Sequence, residues 1–168
     1  MAAVSCAIAL GSNLGNSQHI LQAALAALHT PPTIELLAQS SVYQTVAIGP
    51  PQPDILNACA IVKTTLSPQH LLAQLLDIEQ RFGRVRRQRW GPRTLDLDLI
   101  FYGQVCLTEP NLHIPHPRMR DRAFVLIPLA EIAPNWRDPV SGELVKQLCE
   151  RVDPAGVTHL GAIPLPFN

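Results

Sequence analysis

Residues 84–102 read RVRRQRWGPRTLDLDLIFY, and the stretch changes character at its middle, from arginines around one tryptophan to an apolar run carrying two aspartates. Apolar and acidic residues alternate over residues 95–99, the period of a strand, so Asp96 and Asp98 leave the same face about 7 Å apart along the chain. Aspartate is a poor strand former and like charges at neighbouring same-face positions repel. Two readings are open at this point. Either both carboxylates face water on a half-exposed sheet, or a divalent cation offsets their repulsion. A carboxylate pair beside many guanidinium groups is the charge pattern that suits a polyphosphate, with metal on some phosphate oxygens and arginine forks on the others.

Upstream, Ser67 and Pro68 open a helix on the spacing Leu71, Leu72, Leu75, Leu76, Ile78 and Glu79, which runs to Gly83. Residues 57–65 read as a strand, and residues 34–44 as another, separated by the proline-rich TVAIGPPQPD. Before Pro31-Pro32, a strand at residues 4–10 ends in Gly11-Ser12-Asn13. A helix then follows on Ile20, Leu21, Ala24, Leu25 and Leu28, capped by Asn16 or Ser17. Without a Lys-Ser/Thr the GSNLG loop is no P-loop. The order β-α-β-β-α-β predicts an α+β, ferredoxin-like sandwich with an antiparallel sheet and C-terminal additions. That topology brings Gly11 to Asn13, Thr45, Asn57 and Asp96 to one edge of the sheet, beside the carboxylates.

Downstream, a short strand is expected near Val105. His116 stands between two prolines and is followed by Arg118, Arg120 and Arg122. Phe124 through Leu129 with Ile132 reads as core, a helical patch falls around residues 144–148, and the chain beyond Pro134 carries no legible chemistry. With 168 residues one domain over residues 1–168 is expected, large enough to bury a core without staples. The four cysteines, Cys6, Cys59, Cys106 and Cys149, lack zinc or redox spacing, which fits free thiols in a reducing compartment. The N-terminus has no secretory pattern and no apolar run spans a bilayer, so a cytoplasmic location without a membrane partner is expected. Net charge is zero, yet nine of the thirteen basic residues are arginines between Arg81 and Arg122. Such local charge suits a compact anion better than a nucleic-acid track.

Taken in order, GSNLG, YQTVAIGPPQPDILNA, RWGPRTLDLDL and IPHPRMRDRAFVLIPL resemble the 6-hydroxymethyl-7,8-dihydropterin pyrophosphokinases of folate biosynthesis, over residues 4 to about 135. The resemblance implies transfer of pyrophosphate from ATP to the pterin hydroxymethyl group, with release of AMP and with two Mg2+ ions. On the same basis Asp96 and Asp98 are metal ligands, and they form the catalytic set with Arg84 and Arg93. Arg84, Arg86, Arg89, Arg93, His116 and Arg122 contact ATP, while Arg86, Arg89 and Trp90 belong to a loop that closes over the site. Thr45, the backbone around Ile48, Ile55 and Asn57 line the pterin, and Phe124 stacks on its ring. The resemblance brings two departures: Ile55 stands where relatives supply a second aromatic ring, and Pro117 stands where some carry a tyrosine. The expected partners are ATP and the pterin, with no nucleic acid, and a monomer is expected.

Two rivals come from other classes. An arginine-rich RNA-binding module or a metal-dependent nuclease would use the same sandwich and the arginines around Trp90. The RNA-binding version needs exposed aromatics on its central strands, whereas these read VSCAIAL and NACAIVKT. A non-catalytic small-molecule sensor would have no need of the aspartate pair.

Overall fold

The computed structural model describes residues 2–13, 16–46, 53–83 and 94–163. Its elements are β1 (Val4–Ser12), α1 (Ser17–Leu28), β2 (Ile34–Gln39), β3 (Val42–Thr45), β4 (Ile55–Thr64), α2 (Pro68–Arg81), β5 (Asp96–Tyr102), β6 (Leu107–Glu109), β7 (Leu112–Ile114), α3 (Ala123–Ile132), α4 (Val145–Arg151) and β8 (Val157–Gly161). The main sheet runs β5-β1-β4-β3-β8, with β2 also on β4. Every pairing in it is antiparallel. Counting β2 and β3 as one interrupted strand gives the fourth-first-third-second order of a ferredoxin-like sandwich, as the sequence predicts.

Alternation along β1 decides which helix covers which face. Cys6, Ile8 and Leu10 join Leu21, Leu25 and Leu28 of α1 and Leu71, Leu75 and Ile78 of α2 in one core. Asn16 caps α1 by accepting from His19 N (3.3 Å), and Ser67 caps α2 by accepting from His70 N (3.2 Å). Ala7 and Ala9 point the other way, into a second core with Cys59, Ile61, Ile100, Phe101 and the α3 residues Val125, Leu126 and Leu129. Small side chains on β1 let α3 approach closely. Cys6 and Cys59 are buried free thiols, and burial pushes the Cys6 thiol up to about 12.

Several expectations need correction. The strand expected at 34–44 is two strands. Between them the Ser40 hydroxyl accepts from Cys59 N (2.8 Å) and donates to Ser41 O (2.7 Å), so a side chain replaces part of the ladder. β4 begins at Ile55 rather than Asn57, because Ile55 and Leu56 pair with Thr45 and Gln44. α2 ends at Arg81 rather than Gly83, whose φ of +75° turns the chain. The strand expected near Val105 lies instead at β6 and forms a hairpin with β7. The apolar run at 124–129 packs as core, as expected, and does so as part of helix α3, while β8, at the sheet edge against β3, had no counterpart in the sequence reading. No helix among the described residues is long and apolar enough to cross a membrane.

Candidate active site at one edge of the sheet

The register builds the site row by row. Gly11 faces Asn57 on one side and Asp96 on the other, and Asn57 faces Tyr43, so Tyr43, Asn57, Gly11 and Asp96 form one row across four strands on the α3 face. One row deeper, Ala9 faces Cys59 and Asp98. The row nearer the edge pairs Thr45 with Ile55. Side chains on β1 therefore shrink toward the edge, from Ala7 and Ala9 to Gly11. A Cβ at Gly11 would stand 3.3 Å from Asn57 Nδ2 and 3.6 Å from Ile55 Cγ2, so the glycine is what lets Asn57 lie there.

Asn57 is only 6% exposed, and its Oδ1 accepts from Thr45 Oγ1 at 2.7 Å, which fixes which amide atom points where. Gly11 and Ser12, expected as a loop after a strand ending at residue 10, extend β1 by pairing with Asn57 and Leu56, and the Asn13 amide donates to Pro53 O (3.0 Å), tying the end of β1 to the approach to β4. Asp96 and Asp98 are half-buried on the α3 face, not fully solvent-facing as an isolated half-exposed sheet would leave them.

β5 is held where it starts. Leu97 N donates to Glu79 Oε2 at 2.7 Å, and Glu79 at the end of α2 is itself buried. The sequence reading used Glu79 only as a helix position. An acidic residue beside Leu75 and Ile78 on the buried stripe was the available signal, because a charge there demands a partner.

The segment from β7 to α3 crosses the same edge. His116 N donates to Ile100 O (3.1 Å), anchoring the histidine to β5. One 3-10 turn, Met119–Asp121, leads to Arg122 at the N-cap of α3. Burial first, then the Arg122 guanidinium, lowers the His116 pKa to about 4, against an opposing pull from Asp96. His116 is therefore neutral near pH 7. Its Nδ1 accepts from Arg118 N (3.2 Å), so the ring proton sits on Nε2 as a hydrogen-bond donor. The Arg122 guanidinium lies 5.5 Å from the centre of the partly buried Phe124 ring.

The fold thus brings Thr45, Ile55, Asn57, Asp96 and Asp98 to one end of one sheet face. His116 and Arg122 lie on the segment that leads from β5 to the helix covering that face, and Phe124 lies in that helix's first turn. Ile48, Arg84, Arg86, Arg89, Trp90 and Arg93 lie outside the described residues. Among the described residues no group of three or more His, Cys, Asp or Glu side chains is set to hold a metal unaided. Two carboxylates on neighbouring same-face positions are nonetheless the hard-oxygen set that Mg2+ uses when water and phosphate complete its shell. The RNA-binding alternative finds no support in the fold, because α3 covers Ala7, Ala9, Cys59 and Ile61 on the sheet face opposite α1 and α2.

A ferredoxin-like sheet with an acidic pair and a basic turn at one edge defines a phosphoryl-transfer class of enzyme. The profile of the family described as 7,8-dihydro-6-hydroxymethylpterin-pyrophosphokinase (HPPK) matches residues 7–134. The chain belongs to that family. A Synechocystis 2-amino-4-hydroxy-6-hydroxymethyldihydropteridine pyrophosphokinase is 54% identical over 87% of this chain and 75% of its own length. A Methylorubrum extorquens protein of the same name is 40% identical over 91% of this chain and 96% of its own. Among solved structures, Plasmodium falciparum HPPK-DHPS with pterin and p-hydroxybenzoate superposes with a TM-score of 0.73 at 15% identity, a likeness of fold. The match covers 90% of this chain and 42% of that much longer one.

Proposed function

We infer that the chain transfers pyrophosphate from ATP to 6-hydroxymethyl-7,8-dihydropterin, giving the pterin diphosphate and AMP in folate biosynthesis. The observation that carries this reading is the shared row of Asn57, Gly11 and Asp96, which sets an amide suited to a pterin edge beside a carboxylate suited to a metal–triphosphate. Bound Mg2+, two ions with ATP in this reading, would supply neutralisation of triphosphate charge.

The chain's own groups do the rest. Asn57, locked by Thr45, presents its Nδ2 donor to the pterin, and Phe124 gives the ring one aromatic face, with Ile55 as an aliphatic neighbour. His116 donates through Nε2 to a phosphate oxygen without adding charge, while Arg122 adds a permanent cation. Arg84 and Arg93 are assigned to the transferring phosphates, Arg86, Arg89 and Trp90 to closure over them, and Ile48 to the pterin edge. With Pro117 in place of a tyrosine, no hydroxyl is available at that position. The chain is assigned as a monomer in the cytoplasm, a reducing compartment with which the free thiols accord.

The test is to incubate the protein with ATP, Mg2+ and 6-hydroxymethyl-7,8-dihydropterin and to separate the products. AMP and pterin diphosphate in equal amounts are expected. ADP with a pterin monophosphate, or no nucleotide turnover, would overturn the reading.

A further inference from the structure

Asp138 is fully buried, and its carboxylate is the only charged group on the loop between α3 and α4 with no exposure at all. A buried charge must be paired, and this one is. Arg120 grips it with a fork, Nε to Oδ2 at 2.6 Å and Nη2 to Oδ1 at 2.9 Å. Val140 N donates to Oδ1 (3.0 Å) and Ser141 Oγ to Oδ2 (2.8 Å), so both oxygens are used twice. Burial raises the carboxyl pKa, but these hydrogen bonds outweigh it and hold the group below the usual range.

Both ends of the pair are built on something firm. The Asp138 loop closes on itself through Gly142 N to Asp138 O and Asp138 N to Glu143 O, each 2.8 Å. Gly142 adopts φ +77°, which a side chain would oppose. Trp136, just before the loop, packs tilted on Phe101 of β5 at 6.5 Å. At the other end Arg120 is the middle residue of the 3-10 turn. Backbone bonds from Met119 N to His116 O and from Arg122 N to Met119 O, each 3.3 Å, make residues 116–122 a single unit. The unit is tied at its ends by His116 N to Ile100 O (3.1 Å) and by Val125 N and Leu126 N to Arg122 O (3.0 Å each), and buried Met119 packs beneath it. Between those ends the two-pronged guanidinium–carboxylate fork is the contact that fixes direction as well as distance.

We propose that Asp138, acting through Arg120, is a positioning residue that sets the angle at which the 116–122 turn presents His116 and Arg122 to the nucleotide. The proposal rests on the assignment of those two residues to the phosphates given above. Such a pair, buried on its carboxylate side, contributes little net stability compared with apolar packing, so its role is argued from its geometry. It also neutralises the middle one of the three guanidinium groups on the turn, Arg118, Arg120 and Arg122.

The experiment is steady-state kinetics on the full chain at a temperature where circular dichroism shows each variant folded. Asp138→Asn and Arg120→Lys are expected to lower kcat/KM for MgATP by about tenfold, while the pterin dissociation constant, read by fluorescence without nucleotide, stays within about twofold. In a background carrying both Arg122→Ala and His116→Ala the further loss from Asp138→Asn should shrink below about twofold, and with Arg122→Ala alone it should be smaller than in the parent, because there is less left to position. A folded Asp138→Asn enzyme with unchanged kcat/KM for MgATP overturns the proposal. So does an equal loss toward both substrates, or full additivity with Arg122→Ala. If Arg122→Ala and His116→Ala themselves leave MgATP kinetics unchanged, the nucleotide reading of the turn fails, and the clamp with it. Should Asp138→Asn not fold, Arg120→Lys and Ser141→Ala, which each weaken one side of the pair, carry the same comparison.

Discussion

Asp96 and Asp98 share a face on a strand whose other face, Leu97 and Leu99, is buried. Replacing either by Asn keeps the shape and removes one carboxylate charge. The expected outcome is a loss of at least about a hundredfold in kcat, about 2.7 kcal/mol, with thermal unfolding unchanged or slightly later as like-charge repulsion is relieved. His116 makes a prediction of opposite kind, on stability. Its folded pKa of about 4 lies below its ordinary 6.5, so between those values the unfolded chain binds more protons and stability falls as pH falls. Thermal unfolding from pH 6.5 to 4 should show His116→Asn losing less than the parent, by about 1–2 kcal/mol once partial exposure is allowed for. The aspartates were legible because a period of two exposes any charge that interrupts it. The Arg120–Asp138 pair was not, since nothing in local spacing tells an arginine which carboxylate it will meet.

At the scale of elements, the strand bearing the aspartates depends on the helix before it. Glu79→Ala would leave Leu97 N without its acceptor in a buried setting, at a cost of about 1–3 kcal/mol. Urea unfolding should detect that loss, and activity of the folded fraction should fall as well, because Leu97 lies between the two carboxylates. Glu79→Gln, which still offers an oxygen, should recover part of both. Helices α1 and α2 were readable from their caps and apolar spacing. The break between β2 and β3 was not, because nothing in the local sequence marks Ser40, and it is the tertiary bond from Cys59 N to its hydroxyl that interrupts the ladder. α3 reads as core rather than as a helix for a physical reason: AFVLIPLAEI is apolar all round and contains Pro128, so no face announces itself.

For the molecule as a whole, the segment without legible chemistry completes the sheet. β8 pairs with β3, and Gln39 Nε2 donates to Ile163 O (2.9 Å) beyond it. Truncation after Arg151 should bare the β3 edge, lower the unfolding temperature and raise self-association in light scattering. Such an edge strand is short and half polar, which is why period alone did not find it. The row that joins Gly11, Asn57 and Asp96 also constrains how the chain reaches its working state. These three residues come from far-separated parts of the sequence, and their pairing exists only after both long-range ladders on β1 have closed. Contacts of high sequence separation are late and slow to form. Nucleotide and pterin binding should therefore reappear during refolding no earlier than the last phase seen by tryptophan fluorescence, and no fragment ending before β5 should bind either ligand.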